Sequence, residues 1–149
     1  MKGLIQRVKH ASVVVDGETI GAIDHGILLL LGVEKHDTTA QADKLLKKIL
    51  GYRIFGDDTG RMNLNLQQVG GGLLVVSQFT LVADTAKGLR PGFSNGATPE
   101  KGQELYDYFV AAAQKSHDPV ATGKFGADMK VSLLNDGPVT FLLEASAER

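Results

Sequence analysis

The chain has 149 residues, 43% of them hydrophobic, with no cysteine and a formal net charge of −1. That length allows one domain with a sizeable core, and the missing cysteines exclude a disulfide framework, a thiolate metal site and a cysteine nucleophile. The near-neutral balance argues against a broad basic face that coats nucleic acid through many phosphate contacts, though not against an enzyme that grips one RNA end, and no apolar run approaches the roughly eighteen residues of a membrane span.

The first residues are interrupted by charge at Lys2 and Arg7 and lack a signal peptide's apolar core, so a cytoplasmic location is expected. Residues 4–15, rich in Val and Ile, predict a strand ending at the hairpin signal Asp16, Gly17. Residues 18–24 return, His25 and Gly26 turn again, and 27–33 predict a central buried strand. At 38–52 the spacing becomes helical. Thr38 and Gln41 make a capping box, Ala42, Leu45, Leu46, Ile49 and Leu50 share one face, and Gly51 lies close to the end. Residues 53–55 resume as a short strand, 57–60 form a turn, and three glycines at 70–72 introduce a strand over 73–79.

The stretch 84–97 is polar, glycine-containing and long, which marks it as functional or mobile. Thr98 caps a second helix with Pro99 at its first position; Leu105, Phe109, Ala112 and Ala113 form its buried stripe, and Asp118 and Pro119 stop it. Two strand-like runs, 129–134 and 139–145, flank Asn135, Asp136, Gly137 and Pro138. The expected architecture is α/β: a single compact domain over residues 1–149, with a mixed, barrel-like β-sheet and two main helices on one side.

Little in the chain suggests a cofactor or metal. His10, His25, His36 and His117 fall in turns or at element ends without an i, i+4 metal pair. Residues 57–60 lack the spacing and closing glutamate of a calcium loop, and 70–72 lack the Lys-Ser/Thr of a phosphate-binding loop. Two places remain. At the end of the strand 73–79, alternation sends Ser77 and Phe79 to one face and Gln78 and Thr80 to the other. If the strand bends there, the N–H groups of Gln78 and Phe79 can point at a developing oxyanion. Thr80 can act as nucleophile only beside a base, and no base is visible. At Gly137-Pro138 the proline cannot donate to a sheet ladder and the glycine can enter backbone regions closed to other residues. This is either a hairpin turn or a device that presents carbonyls in a fixed direction, through a cis bond.

Read together, residues 77–81 and 135–140 resemble the D-aminoacyl-tRNA deacylases, which strip D-amino acids from mischarged tRNA. The likeness runs nearly end to end. It includes Leu4 to Val8, Ala11 to Val13, Phe55 to Asp57 with Met62 to Leu64, Lys87 to Pro91, and Phe125 to Ala127 leading into Val131 to Leu133. Gly92 departs from the serine expected there, which affects only a hydroxyl on that loop.

The resemblance implies hydrolysis of the ester of D-aminoacyl-tRNA, and of glycyl-tRNA, with assistance from the 2′-hydroxyl of the terminal adenosine. It implies that the backbone of Gln78, Phe79 and Thr80 contacts ester and oxyanion, and that the Ser77 and Gln78 side chains orient the substrate. It further implies a cis Gly137-Pro138 that each subunit of a homodimer inserts into its partner's pocket, where its carbonyls collide with an L side chain. The resemblance also implies that Arg7, which by itself reads equally as a strand-surface arginine, steadies that element, with Asn135, Phe125 and Met129 in support. The expected partners are the aminoacylated 3′ end of tRNA and a second copy of the chain, with no DNA, membrane, cofactor or metal. A non-catalytic module that binds an RNA end or a small ligand in the same pocket is the rival; a purely structural dimer subunit explains less.

Overall fold

The computed structural model describes residues 1–147. The sheet is organised around its first strand, β1 (Lys2–Val15). Along one edge β1 pairs antiparallel with β3 (Gly26–Gly32) and then with β2 (Glu18–Ile23); along the other it pairs antiparallel with β8 (Lys130–Glu144). Asp16 and Gly17 take positive φ of 50° and 79°, the two-residue hairpin turn their sequence predicts. β3 pairs in parallel with β6 (Gly72–Ser77), and β6 in parallel with β7 (Val120–Thr122). β2 folds back towards β6 and β7, so the mixed sheet nearly closes. A separate short hairpin joins β4 (Phe55–Gly56) to β5 (Met62–Leu64).

Strand alternation divides the core. Ile27, Leu29 and Leu31 of β3, with Leu73 and Val75 of β6, face the helices α1 (Thr39–Gly51) and α3 (Pro99–Ser116). Leu45, Ile49, Leu105 and Phe109 fill that layer from the helical side. Leu28, Leu74 and Val76 point the other way and pack with Val8, Val13 and Ile23 within the curled sheet. With both faces covered, the central strands read as continuous apolar runs. The helix starts follow the predicted caps: Thr38 and Gln41 form the capping box of α1, and Thr98 accepts the Lys101 N–H with Pro99 opening α3.

Four local features differ from the sequence reading. The strand predicted over 73–79 ends at Ser77, and a 3-10 turn occupies Phe79–Val82. The runs at 129–134 and 139–145 are one strand, β8, interrupted by a bulge rather than by a hairpin turn. The three-residue β7 is too short to show a period. The one-turn helix α2 (Leu66–Val69) likewise escapes periodicity, although Asn65 and Gln68 form a complete capping box.

The turn between β4 and β5 is held by one carboxylate. Asp57 Oδ1 accepts from Thr59 N at 2.8 Å, Thr59 Oγ1 at 2.6 Å and Arg61 N at 3.1 Å, while Oδ2 accepts from Asn63 Nδ2 at 2.7 Å. The hydrogen bonds from Thr59 and then Asn63 hold its pKa far below the usual carboxylate range. A depressed folded-state pKa means that its contribution is complete above the ordinary carboxylate range and drains away as pH falls below it. Asp57→Asn is therefore expected to melt at a lower temperature than the parent at pH 7, with the difference narrowing in melts recorded towards pH 3.

Candidate active site

A cavity of about 490 Å³ opens where the parallel strands β3 and β6 end, the usual place for a ligand in a parallel sheet. Leu31, Val33, Val76 and Ser77 form its floor, and Thr98, Pro99 and Gly102 bring in the start of α3. Phe125 to Met129, with Val131, close the far wall. Of the residues singled out in the sequence, Ser77, Gln78, Phe79, Phe125 and Met129 meet here, and Thr80 lies outside the lining.

The backbone at 77–82 is fixed by its neighbours. Gln78 N donates to the Leu31 carbonyl at 2.8 Å and the Gln78 carbonyl accepts from Leu81 N at 3.1 Å. The expectation that the Gln78 N–H faces an oxyanion is thus corrected, because both backbone groups of Gln78 are used to extend the sheet and start the turn. The N–H groups of Phe79 and Thr80 precede the first bond of the 3-10 ladder and are left to other partners. The turn can lie this close only because β3 ends in Gly32, where an added Cβ would stand 2.8 Å from Val82 Cγ1 and 3.2 Å from Leu81 Cβ. The Gln78 side chain donates from Nε2 to Thr80 Oγ1.

Acid–base chemistry is sparse around this cavity. Among the described residues Asp128 is the one ionisable side chain in its lining, and it pairs with Lys130 at 3.2 Å. Tyr106 donates its hydroxyl to the Val75 carbonyl at 3.0 Å, and burial, aided by the charge of Asp107, pushes its pKa up to about 12. It therefore serves as a fixed donor behind β6, not as a base. His117 Nε2 lies 2.7 Å from the Gly71 carbonyl, and His25 packs edge-on to Phe55; neither lines the cavity. Among the described residues no group of three His, Asp or Glu side chains is placed to hold a metal ion.

The second set of residues forms the bulge of β8. Gln6 pairs with Thr140 and Val8 with Asn135, so Arg7 alone stands opposite residues 136–139. Arg7 Nε donates to the Asp136 carbonyl at 2.9 Å and Nη1 to the Ile54 carbonyl at 2.7 Å. Asn135 closes the loop from within: Oδ1 accepts from Val139 N at 2.7 Å, and Nδ2 donates to Thr140 Oγ1 at 3.0 Å. At the tip Gly137 and Pro138 are exposed, Gly137 has φ +147°, and the Gly137-Pro138 peptide is cis, as is Asp118-Pro119. None of Arg7, Asn135, Gly137 or Pro138 lines the cavity of their own chain.

Arg7→Ala removes two charge-assisted bonds to carbonyls, each worth about 1.5–3 kcal/mol. Thermal melts are expected to show a clear loss of stability. Arg7→Lys should not restore it, because a single ammonium cannot span the Asp136 and Ile54 carbonyls as the guanidinium fork does.

Sequence reasoning missed Phe93, Gly96, Thr98 and Gly102 as parts of the cavity. The length of the 84–97 stretch was the available signal for the first two, and the proline-started helix read only as a helix start.

A family profile described as D-Tyr-tRNA(Tyr) deacylase matches residues 4–144. The chain is 64% identical over 143 residues to a D-aminoacyl-tRNA deacylase of Saccharophagus degradans, across 96% of this chain and 99% of that protein. Among solved structures it superposes on a c-Myc DNA unwinding element binding protein at a TM-score of 0.94 and 40% identity, covering 99% of this chain and 100% of that one. It also superposes on a probable eukaryotic D-amino acid tRNA deacylase at a TM-score of 0.82 and 16% identity, over 97% and 98% of the two chains. The last is a likeness of fold alone. The match to the family profile takes in both the cavity wall at 77–79 and the bulge at 135–138, and the chain belongs to the D-Tyr-tRNA(Tyr) deacylase family.

Proposed function

We propose that the protein hydrolyses the ester bond of D-aminoacyl-tRNA, and of glycyl-tRNA, and rejects L-aminoacyl-tRNA. The observation that carries this reading is a cavity walled by Ser77, Gln78 and Phe79 that lacks an acid–base pair. Such a site can orient an ester and stabilise charge, and it leaves activation to the substrate. Water adds to the carbonyl carbon, the bond from that carbon to the ribose oxygen breaks, and a proton ends on the ribose oxygen. The products are the free amino acid and tRNA with its hydroxyl restored. The neighbouring 2′-hydroxyl of the terminal adenosine assists the attack. The N–H groups of Phe79 and Thr80 meet the oxyanion, and the Ser77 and Gln78 side chains orient the ester.

Chirality is decided by a homodimer in which the Gly137-Pro138 bulge of one protomer enters the cavity of the other. Two features support this. The bulge is exposed and absent from its own cavity. It also interrupts the edge strand β8, on which Leu134, Phe141 and Leu142 expose apolar surface, as a strand that awaits a partner does. Carbonyls held beside the substrate's α-carbon collide with an L side chain and tolerate a D side chain or glycine.

The rival is a binding module, a reading favoured by the missing acid–base pair and by the name of the 40%-identical structure. Incubation with D- and L-tyrosyl-tRNA separates the two. Release of D-tyrosine with L-tyrosyl-tRNA left intact is expected without added metal, whereas a binding module releases neither.

A further inference from the structure

We propose that Asp37 is a positioning residue for the cavity, acting with the α-amino group of Met1 through the backbone of residues 33–37. The inference rests on reading that cavity as the ester site. Among the described residues Asp37 is the one buried charged side chain, 2% exposed, and it lies outside the cavity lining. A carboxylate withdrawn from water is costly unless it is paired. Its partner is the ammonium of Met1, itself buried. That nitrogen stands 2.9 Å from Asp37 Oδ1, 2.8 Å from Glu34 Oε1 and 2.7 Å from the Ala145 carbonyl. Three acceptors thus meet the three protons of an ammonium. The second oxygen of Asp37 is also engaged, since Oδ2 accepts from Glu34 N at 2.7 Å.

What this pair holds is a connection without regular structure. β3 ends at Gly32 and α1 starts at Thr39. Between them Asp37 N donates to the Glu34 carbonyl at 3.1 Å, so both the backbone and the side chain of Asp37 close a turn over 34–37. The cavity rim hangs on that turn. Lys35 N donates to the Asn95 carbonyl at 3.1 Å, Ala97 N donates to the Val33 carbonyl at 3.1 Å, and Glu34 forms an isolated bridge with Gly96. Lys101, in the first turn of α3, adds a bond from Nζ to the Lys35 carbonyl.

Val33, Gly96 and Ala97 line the cavity. Residues 83–98 contain no helix or strand, so the wall at 95–97 takes its place from the turn at 34–37. Neutralising either member of the pair leaves the other buried without a partner, which costs more than neutralising both. Asp37 and the Met1 amine should therefore behave as one unit, and a group left on that amine should disturb the same wall as a change at Asp37.

The test is a cycle of Asp37→Asn against an N-formyl group retained on Met1 by expression with deformylation inhibited and confirmed by mass. Amide hydrogen exchange and single-turnover kinetics on D-tyrosyl-tRNA are read below the melting range of every form. In Asp37→Asn the amides of Lys35 and Ala97 should exchange at least about ten-fold faster, while those of β3 and β6 keep the parent rates. kcat/KM should fall about ten- to a hundred-fold, mainly in kcat, because a displaced wall misplaces the ester. The formylated parent should show the same pattern. In the formylated chain Asp37→Asn should cost nothing further or restore part of the loss. Parent exchange at Lys35 and Ala97, a lower melting temperature with parent kcat and KM, or losses that multiply in the double form would each overturn the proposal. Where Asp37→Asn alone yields no folded protein, Glu34→Gln, at the partly exposed acceptor of the same amine, is read instead by the same criteria. If the parent fails to release D-tyrosine, the ester-site reading falls, and exchange at Lys35 and Ala97 still decides whether Asp37 positions the wall.

Discussion

Gly137→Ala is expected to lower D-aminoacyl-tRNA hydrolysis at least a hundred-fold while the protein remains folded. At φ +147° the backbone of Gly137 lies where L side chains are rarely found, and an added Cβ would stand 2.6 Å from Val139 Cγ2 and 3.0 Å from Val139 N. The valine methyl can rotate; the backbone nitrogen is held by its bond to Asn135 Oδ1. Strain of about 1–3 kcal/mol follows. Set against a total stability of about 5–15 kcal/mol, that leaves a folded chain. The site is less forgiving, since a displacement on the order of 1 Å can cost about a hundred-fold in rate. The methyl also approaches Arg7 Nη2 at 3.3 Å, so the guanidinium that holds Asp136 must move as well.

The same variant tests the cross-subunit reading. Mixed with a chain carrying Ser77→Ala and Gln78→Ala, it should regain activity, because one cavity in each heterodimer then faces an intact bulge. A folded Gly137→Ala protein with the parent rate and the parent D-over-L preference would remove the bulge from the mechanism.

Much of this frame was legible in the sequence because it rests on local signals. The Asp16, Gly17 turn, the capping box at Thr38 and Gln41, and Thr98 before Pro99 each satisfy backbone groups within a few residues, so the chain announces them without its tertiary partners. The site was less legible. Ser77 to Thr80 reads as a continuing strand, and what ends it is the packing of the following turn against Gly32, contributed from another strand. Phe93 looks like an isolated aromatic in a polar loop until the fold brings it to Phe79. The bulge at 135–138 was recognisable as unusual from Gly137-Pro138. Its register could not be read, because that depends on Arg7 standing alone across four residues of β8.

Removal of the substrate's terminal 2′-hydroxyl should cost far more than Thr80→Ala. Thr80 Oγ1 accepts a hydrogen bond from Gln78 Nε2, and its side chain is absent from the cavity lining. A threonine needs an adjacent base to become a nucleophile. Asp128 is engaged with Lys130, Tyr106 holds its proton to about 12, and no histidine lines the cavity. On the proposed mechanism the protein contributes placement and backbone dipoles, and the group that handles the proton comes with the substrate. General acid–base assistance is worth about 10²- to 10⁴-fold, so a terminal 2′-deoxyadenosine ester should be hydrolysed slower by that factor in single-turnover assays. Thr80→Ala, which loses one orienting bond to Gln78, should stay within about ten-fold of the parent, since a neutral hydrogen bond contributes about 0.5–1.5 kcal/mol. An acyl-threonine adduct found by mass spectrometry, together with a Thr80→Ala protein of negligible activity, would reverse this assignment and place the nucleophile on the enzyme.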